Sequence, residues 1–81
     1  MKNERKIEAL KAMKKKIRQG VRGLCSAYNI VCGEIPSEHQ LKLLGLEKPK
    51  KTYDSDYWFK PFNTTSRIKL INKAIKKLQC K

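Results

Sequence analysis

The chain has few of the residue types from which metal centres, disulfide frameworks and many active sites are built. Its 81 residues include one histidine and three cysteines, and no two cysteines show the Cys-x-x-Cys spacing. An odd number of cysteines without paired spacing is not typical of a disulfide framework or a zinc site. The lone His39 has no second histidine to work with, so we expect it to be solvated near the start of a helix. The sequence therefore predicts no bound metal and no cofactor.

Long apolar runs are also missing. No stretch approaches the roughly 18 to 20 apolar residues that a membrane span needs. The first residues are mostly charged, unlike the apolar centre of a signal peptide. We therefore expect a cytoplasmic protein with no membrane partner. The hydrophobic fraction of 40% is still sufficient for the core of one small domain, residues 1–81.

The usual signatures of catalysis are absent as well. The sequence contains no glycine-rich phosphate loop, no motif that pairs a nucleophile with a base, and no cluster of metal ligands. Asp54 and Asp56 alternate in a segment that we expect to be extended, and two carboxylates on one side could serve acid–base chemistry. Paired surface acids beside basic helices are more common than a catalytic pair. The sequence therefore favours a protein that is not an enzyme.

Acidic residues are scarce, and the excess of positive charge is unevenly distributed. Twenty Lys and Arg face seven Asp and Glu, which gives a net charge of +13. Residues 1–22 hold nine basic and two acidic residues, and residues 60–81 hold seven basic residues and no acid, so each segment carries +7. Residues 23–59 are close to neutral, with four basic and five acidic residues. Such a field attracts polyanions, although solubility combined with a lysine-rich gene composition would produce the same excess.

Apolar residues at steps of three and four predict an amphipathic helix over about residues 4–32. Gly20 and Gly23 interrupt this pattern, and each costs about 1 kcal/mol in a helix interior. The helix therefore bends or breaks there, or another element approaches closely. Gly33 is suited to end it. Two cysteines seven residues apart, Cys25 and Cys32, lie on the apolar side, and we expect both to be buried.

Two further helices are indicated by their capping residues. Ser37 and Gln40 form a capping box at the start of a short helix over about 38–44, which Gly45 ends. Asn63 is the expected N-cap of a last helix over 64–79. Residues 48–51 separate the two with a polar, proline-containing break. The predicted fold class is all-α, a small three-helix domain.

An aromatic segment lies between the second and third predicted helices. All aromatic residues except Tyr28 fall in residues 53–62, and Pro61 disfavours helix in the residue before it. We expect an extended segment that crosses the helices, with Trp58 buried in their shared core. Arg67 lies in the first helical turn, where the helix dipole disfavours a cation. We expect an ion pair between Arg67 and one of the two nearby acids, Asp54 or Asp56.

Candidate site residues follow from charge and aromaticity. Basic side chains recur along one face of the first helix and one face of the last. Such rows are most often solvated faces, but they also match a helix that follows a phosphate backbone. Tyrosines of the crossing segment could stack on bases. The candidates for polyanion binding are Lys11, Lys15, Arg18, Arg22, Lys69, Lys73 and Lys76, and those for base stacking are Tyr53 and Tyr57.

Three short segments carry a resemblance to a known group. Residues 23–25 (Gly-Leu-Cys), residues 57–59 (Tyr-Trp-Phe) and residues 67–71 (Arg-Ile-x-x-Ile) resemble small uncharacterised proteins encoded by tailed bacteriophages. The likeness covers roughly residues 17–78 in order and spacing. Those sequences often carry a proline before the arginine, where this chain has Ser66. The resemblance implies a phage accessory protein acting in the host cytoplasm, and it implies no catalytic residue.

Three binding functions remain open at this point. The first is a nucleic-acid binder that contacts phosphates through the two basic rows. The second is an anti-defence protein that sequesters a small anionic nucleotide, such as a cyclic one, as a homo-oligomer if one chain cannot enclose it. The third is an inhibitor that docks its basic face on an acidic surface of a host protein. The sequence favours the first, because seven basic residues are arranged in two rows.

Overall fold

The computed structural model describes residues 3–21, 23–47, 57–59 and 63–80. Within these residues it contains four α-helices and no strand, which confirms the predicted all-α class. None of the described helices combines the length and the apolar character that crossing a membrane requires. The helices are α1 (Asn3–Arg18), α2 (Leu24–Cys32), α3 (Glu38–Leu43) and α4 (Thr64–Gln79).

The prediction of one helix over residues 4–32, and with it the three-helix count, is wrong. The chain breaks after α1 because Gly20 adopts a φ of +108°, in the left-handed region that glycine tolerates best. The amide of Gly20 donates to the Ile17 carbonyl oxygen at 3.0 Å, and the amide of Val21 donates to the Lys16 carbonyl oxygen at 3.2 Å. This pair of bonds is a Schellman motif, which satisfies the last carbonyl groups of α1.

A close contact with residues 57–59 accounts for Gly23 at the start of α2. A Cβ atom at Gly23 would lie 2.7 Å from the carbonyl oxygen of Phe59, closer than real Cβ contacts allow. No side chain caps α2; instead the Cys25 amide donates to the Trp58 carbonyl oxygen at 3.1 Å. The φ of Gly23 is −112°, which any residue can adopt. The requirement for glycine therefore comes from this backbone approach.

The other helix ends agree with the sequence. Ser37 and Gln40 form the predicted capping box, with bonds of 2.8 and 3.2 Å between side chain and backbone. The Asn63 side chain accepts a hydrogen bond from the Thr65 amide at 2.8 Å. Gly33 ends α2 with a φ of +75°. Each of these bonds satisfies an orphan backbone group, so each fixes where a helix begins or ends.

The buried core is formed by all four helices together with Trp58. Cys25 is buried as predicted, and burial raises the pKa of its thiol. The prediction that Cys32 is also buried is wrong: it is the last residue of α2 and is exposed at the helix end. Trp58 is 5% exposed, which confirms its predicted core position. The remaining apolar core residues are Leu10, Met13, Ile17, Leu24, Ala27, Tyr28, Leu41, Leu44, Leu46, Ile71, Ala74, Ile75 and Leu78.

Arg67 is the one charged residue among the buried residues of the described chain. Its Nη1 donates to the Val21 carbonyl oxygen at 3.0 Å, which ties the start of α4 to the linker between α1 and α2. Burial lowers the pKa of this guanidinium from its ordinary value, although arginine stays charged in proteins. The predicted partners Asp54 and Asp56 lie outside the described residues, as does most of the predicted crossing segment.

Candidate polyanion-binding site

Helices α1 and α4 run antiparallel, and three side-chain contacts fix their alignment. At one end the Asn3 side-chain amide donates to the Leu78 carbonyl oxygen at 3.2 Å. In the middle Lys14 Nζ donates to Asn72 Oδ1 at 2.8 Å. At the other end Arg67 contacts Val21, as described above. The midpoints of the two helices therefore lie side by side at the contact between Lys14 and Asn72.

The predicted basic residues are placed identically around this contact. On α1 the cations at 11, 15 and 18 stand at offsets of −3, +1 and +4 from Lys14. On α4 the cations at 69, 73 and 76 stand at the same offsets from Asn72. Since the helices are antiparallel, equal offsets relate the two rows by an approximate twofold axis through the contact. Both rows therefore lie on the same side of the helix pair.

We call this surface the basic face. Its members are all exposed, whereas the opposite sides of α1 and α4 carry the core residues. Each row covers seven residue steps, about 10 Å at 1.5 Å per residue, and packed helix axes are about 8–10 Å apart. Several phosphates of one nucleic-acid molecule fit such an area. The basic face consists of Lys11, Lys15, Arg18, Lys69, Lys73 and Lys76.

Acidic residues border this face at one end only. Glu4 and Glu8 are exposed in the first turns of α1, seven and three residues before Lys11, so they lie on the same side of that helix. Residues 63–80, which include all of α4, contain no acid. The positive potential is therefore strongest from Lys11 onward along α1 and across α4.

A groove along the outer edge of α4 adds an aromatic wall to the basic face. Its volume is about 470 Å³, within the range of about 300–1,000 Å³ typical of ligand sites. Tyr57 and Leu70 supply apolar surface, Ser66 supplies a hydroxyl, and Lys69 and Lys73 belong also to the basic face. The structure thus brings the predicted stacking residue Tyr57 together with two of the predicted phosphate-binding lysines.

The ring of Tyr57 rests on a firm support. It forms an edge-to-face pair with Trp58, with ring centroids 5.1 Å apart and planes at 78°. Trp58 is itself buried, and its carbonyl oxygen accepts the bond from the Cys25 amide at the start of α2. Burial raises the pKa of the Tyr57 phenol above its ordinary value, so the group is neutral at pH 7 and does not repel phosphate.

Some of the predicted site residues are not placed, and others were missed. Arg22 and Tyr53 lie outside the residues that the structure describes. Sequence reasoning did not identify Ser66 or Leu70 as groove residues, because their proximity to Tyr57 depends on how residues 57–59 pack against α4. The twofold arrangement of the rows did leave a signal. Residues 11–18 and 69–76 share the pattern Lys-x-x-x-Lys-x-x-Lys/Arg.

Two other cavities in the described part of the chain contain no residue of the basic face. A cleft of about 230 Å³ is lined by Cys25 and Asn29 and by three exposed apolar side chains, Ile30, Ile35 and Phe59. A second cavity of about 240 Å³ lies between Tyr28, Glu34 and Leu43 and neighbouring side chains. Within the described ranges no three His, Cys, Asp or Glu side chains are grouped to hold a metal ion. The basic face and its groove are therefore the stronger candidate site.

Comparison with known proteins does not assign the chain to a family. No protein-family model matches it, and neither a curated protein nor a solved structure shows significant similarity to it.

Proposed function

We propose that this chain is a non-enzymatic accessory protein, of the kind that tailed bacteriophages encode, which binds nucleic acid through its phosphate backbone. The observation that carries the proposal is the basic face. Two antiparallel helices present six exposed cations on one side, and three contacts hold the helices in place. A preformed set of cations loses little entropy on binding, which favours affinity.

The chemistry of the basic face favours contacts with phosphate over contacts with base edges. Five of its six cations are lysines, which act as compact point charges on flexible stems. Reading a base edge usually requires bidentate donors such as Arg, Asn or Gln in register. Arg18 is the single arginine on this face. Binding is therefore expected to depend weakly on sequence and strongly on salt.

The test is the salt dependence of binding. About four phosphate contacts would give a slope of log affinity against log salt near −3.6 on duplex DNA, since each contributes about −0.9. The double variant Lys11→Ala/Lys73→Ala should flatten that slope by about 2 and weaken binding equally across sequences. Fluorescence anisotropy with labelled duplexes of two unrelated sequences, titrated at several salt concentrations, measures both quantities.

A charge-matched control separates the basic face from net charge. Lys42 lies on α3, and Lys77 is paired with Glu47 at 3.2 Å, so neither belongs to the face. The variant Lys42→Ala/Lys77→Ala removes the same charge and should leave the slope close to that of the wild type. Weak binding with a slope that neither variant changes would mean that the two rows are merely solvated faces.

A further inference from the structure

The groove beside the basic face points to a particular form of nucleic acid. We propose that it receives an unpaired base of a single strand, stacked on Tyr57, while Lys69 and Lys73 hold the adjacent phosphates. This inference rests on the proposed function and narrows it to single-stranded DNA or RNA. It predicts that part of the affinity comes from a base, in addition to the part that comes from charge.

The ring geometry leaves a surface for stacking. In an edge-to-face pair, Trp58 can cover at most one face of the Tyr57 ring, so at least one face stays available on the groove side. Leu70 continues the apolar wall, and Ser66 offers a hydroxyl to a base edge or a sugar. Bases have two flat π-faces, so stacking on an aromatic ring tolerates any sequence, in keeping with the basic face.

Charge placement links the groove to a longer strand. Lys69 and Lys73 line the groove and also begin the row that continues to Lys76 and across the contact between Lys14 and Asn72 to α1. A phosphate that follows the bound base therefore meets further cations. A single small nucleotide carries two or three phosphates and would leave most of the basic face unused. A duplex keeps its bases stacked inside, where they cannot reach the groove.

The experiment compares strands that differ only in their bases. The probes are an oligothymidine of about 12 nucleotides, within the usual range of site sizes, and an abasic strand with the same number of phosphates. The wild type should bind the base-bearing strand about 5- to 150-fold more tightly, the range that stacking of one base gives. Tyr57→Leu keeps apolar bulk over Trp58 but removes the aromatic face, so it should abolish this difference. Tyr57→Phe should retain it.

The controls are the exposed aromatic Phe59, which does not line this groove, and the salt slope. Phe59→Ala should leave the preference for base-bearing strands unchanged. Circular dichroism melting confirms that each variant is folded. Equal affinity for both strands, with a steep salt slope, would overturn this inference and leave the proposed function standing. Absence of binding to every strand and duplex would overturn both. Saturation by a mononucleotide or cyclic dinucleotide as tightly as by the oligonucleotide would overturn both in favour of a nucleotide-sequestering protein.

Discussion

Trp58 connects the hydrophobic core to the candidate site. Its side chain is almost fully buried, its ring supports Tyr57, and its carbonyl oxygen caps α2. We expect Trp58→Ala to lower the free energy of unfolding by about 3–5 kcal/mol, the usual cost of removing a large buried aromatic side chain. Urea unfolding followed by circular dichroism measures this loss.

Two observations check the assignment of Trp58 to the core. The fluorescence of the wild type should be blue-shifted and poorly quenched by iodide. Phe59→Ala, at a residue that is 46% exposed, should cost much less than Trp58→Ala. A red-shifted spectrum together with an unchanged melting temperature for Trp58→Ala would place the indole at the surface.

Gly23 is constrained by a neighbour, whereas Gly20 is constrained by its own backbone. An alanine Cβ at position 23 would collide with the backbone of Phe59, so residues 57–59 would have to move. At position 20 the added Cβ meets no atom within 4 Å, and the cost comes from a φ of +108°. We expect both Gly23→Ala and Gly20→Ala to destabilise the protein, but only Gly23→Ala to shift the emission of Trp58.

That difference also bears on the site. Because residues 57–59 carry Tyr57, Gly23→Ala should reduce the preference for base-bearing strands, and Gly20→Ala should not. Fluorescence spectra and strand titrations of the two variants provide the comparison. If Gly23→Ala leaves both the emission and the strand preference as in the wild type, the close approach of Phe59 to α2 is not as described.

At the scale of elements, the helix ends were predictable because their signals are local. The capping box of α3, the Asn63 cap of α4 and the glycine that ends α2 each depend on residues within one turn of the helix end. The break between α1 and α2 was harder to predict. The apolar stripe happens to continue in step across it, so periodicity alone indicates one helix. Only the two glycines pointed to an interruption.

The candidate site was predictable only in part, for the same reason. The basic rows follow from helical spacing, which the sequence contains. Their placement on one side of the molecule depends on the antiparallel packing of α1 and α4, and the approach of Tyr57 to Lys69 depends on how residues 57–59 fold. These contacts join residues 12 to 75 positions apart, and no local propensity specifies them. Cys32 was misplaced because spacing gives its side of the helix but not its distance from the core.

Glu8 makes α1 unequal along its length, and this gives a prediction at the same scale. It stands one turn before Lys11 on the exposed side, where a carboxylate repels phosphate and attracts the cation that should bind it. Glu8→Gln should strengthen nucleic-acid binding about two- to fivefold, which corresponds to the modest energy of an exposed charge pair. Glu34→Gln, at an exposed residue beyond the end of α2, is the matched control and should change affinity less. Anisotropy titrations at low salt are the measurement, and equal gains in the two variants would mean that net charge alone matters.

For the molecule as a whole, the basic face should weaken the fold that carries it. The protein measures 23–29 Å across and carries a net charge of +13, and the screening length at 0.1 M salt is about 10 Å. Charges on the face therefore repel one another at low salt. Lys11 and Lys15, and likewise Lys69 and Lys73, are like-charged pairs four residues apart, each destabilising by about 0.2–0.5 kcal/mol. A bound polyanion would relieve this repulsion.

The double variant Lys11→Ala/Lys73→Ala removes one member of each pair, so at low salt it should be more stable than the wild type by about 0.4–1 kcal/mol. The gain should shrink in about 1 M salt, where the screening length is about 3 Å. Lys42→Ala should behave in the opposite way, because Glu38 precedes Lys42 by four residues in the favourable orientation. Urea unfolding of the three proteins at both salt concentrations measures these differences. A gain for the double variant that persists at high salt would assign the effect to the helix propensity of alanine. In that event the six cations do not interact strongly, and the basic face is electrostatically weaker than its geometry suggests.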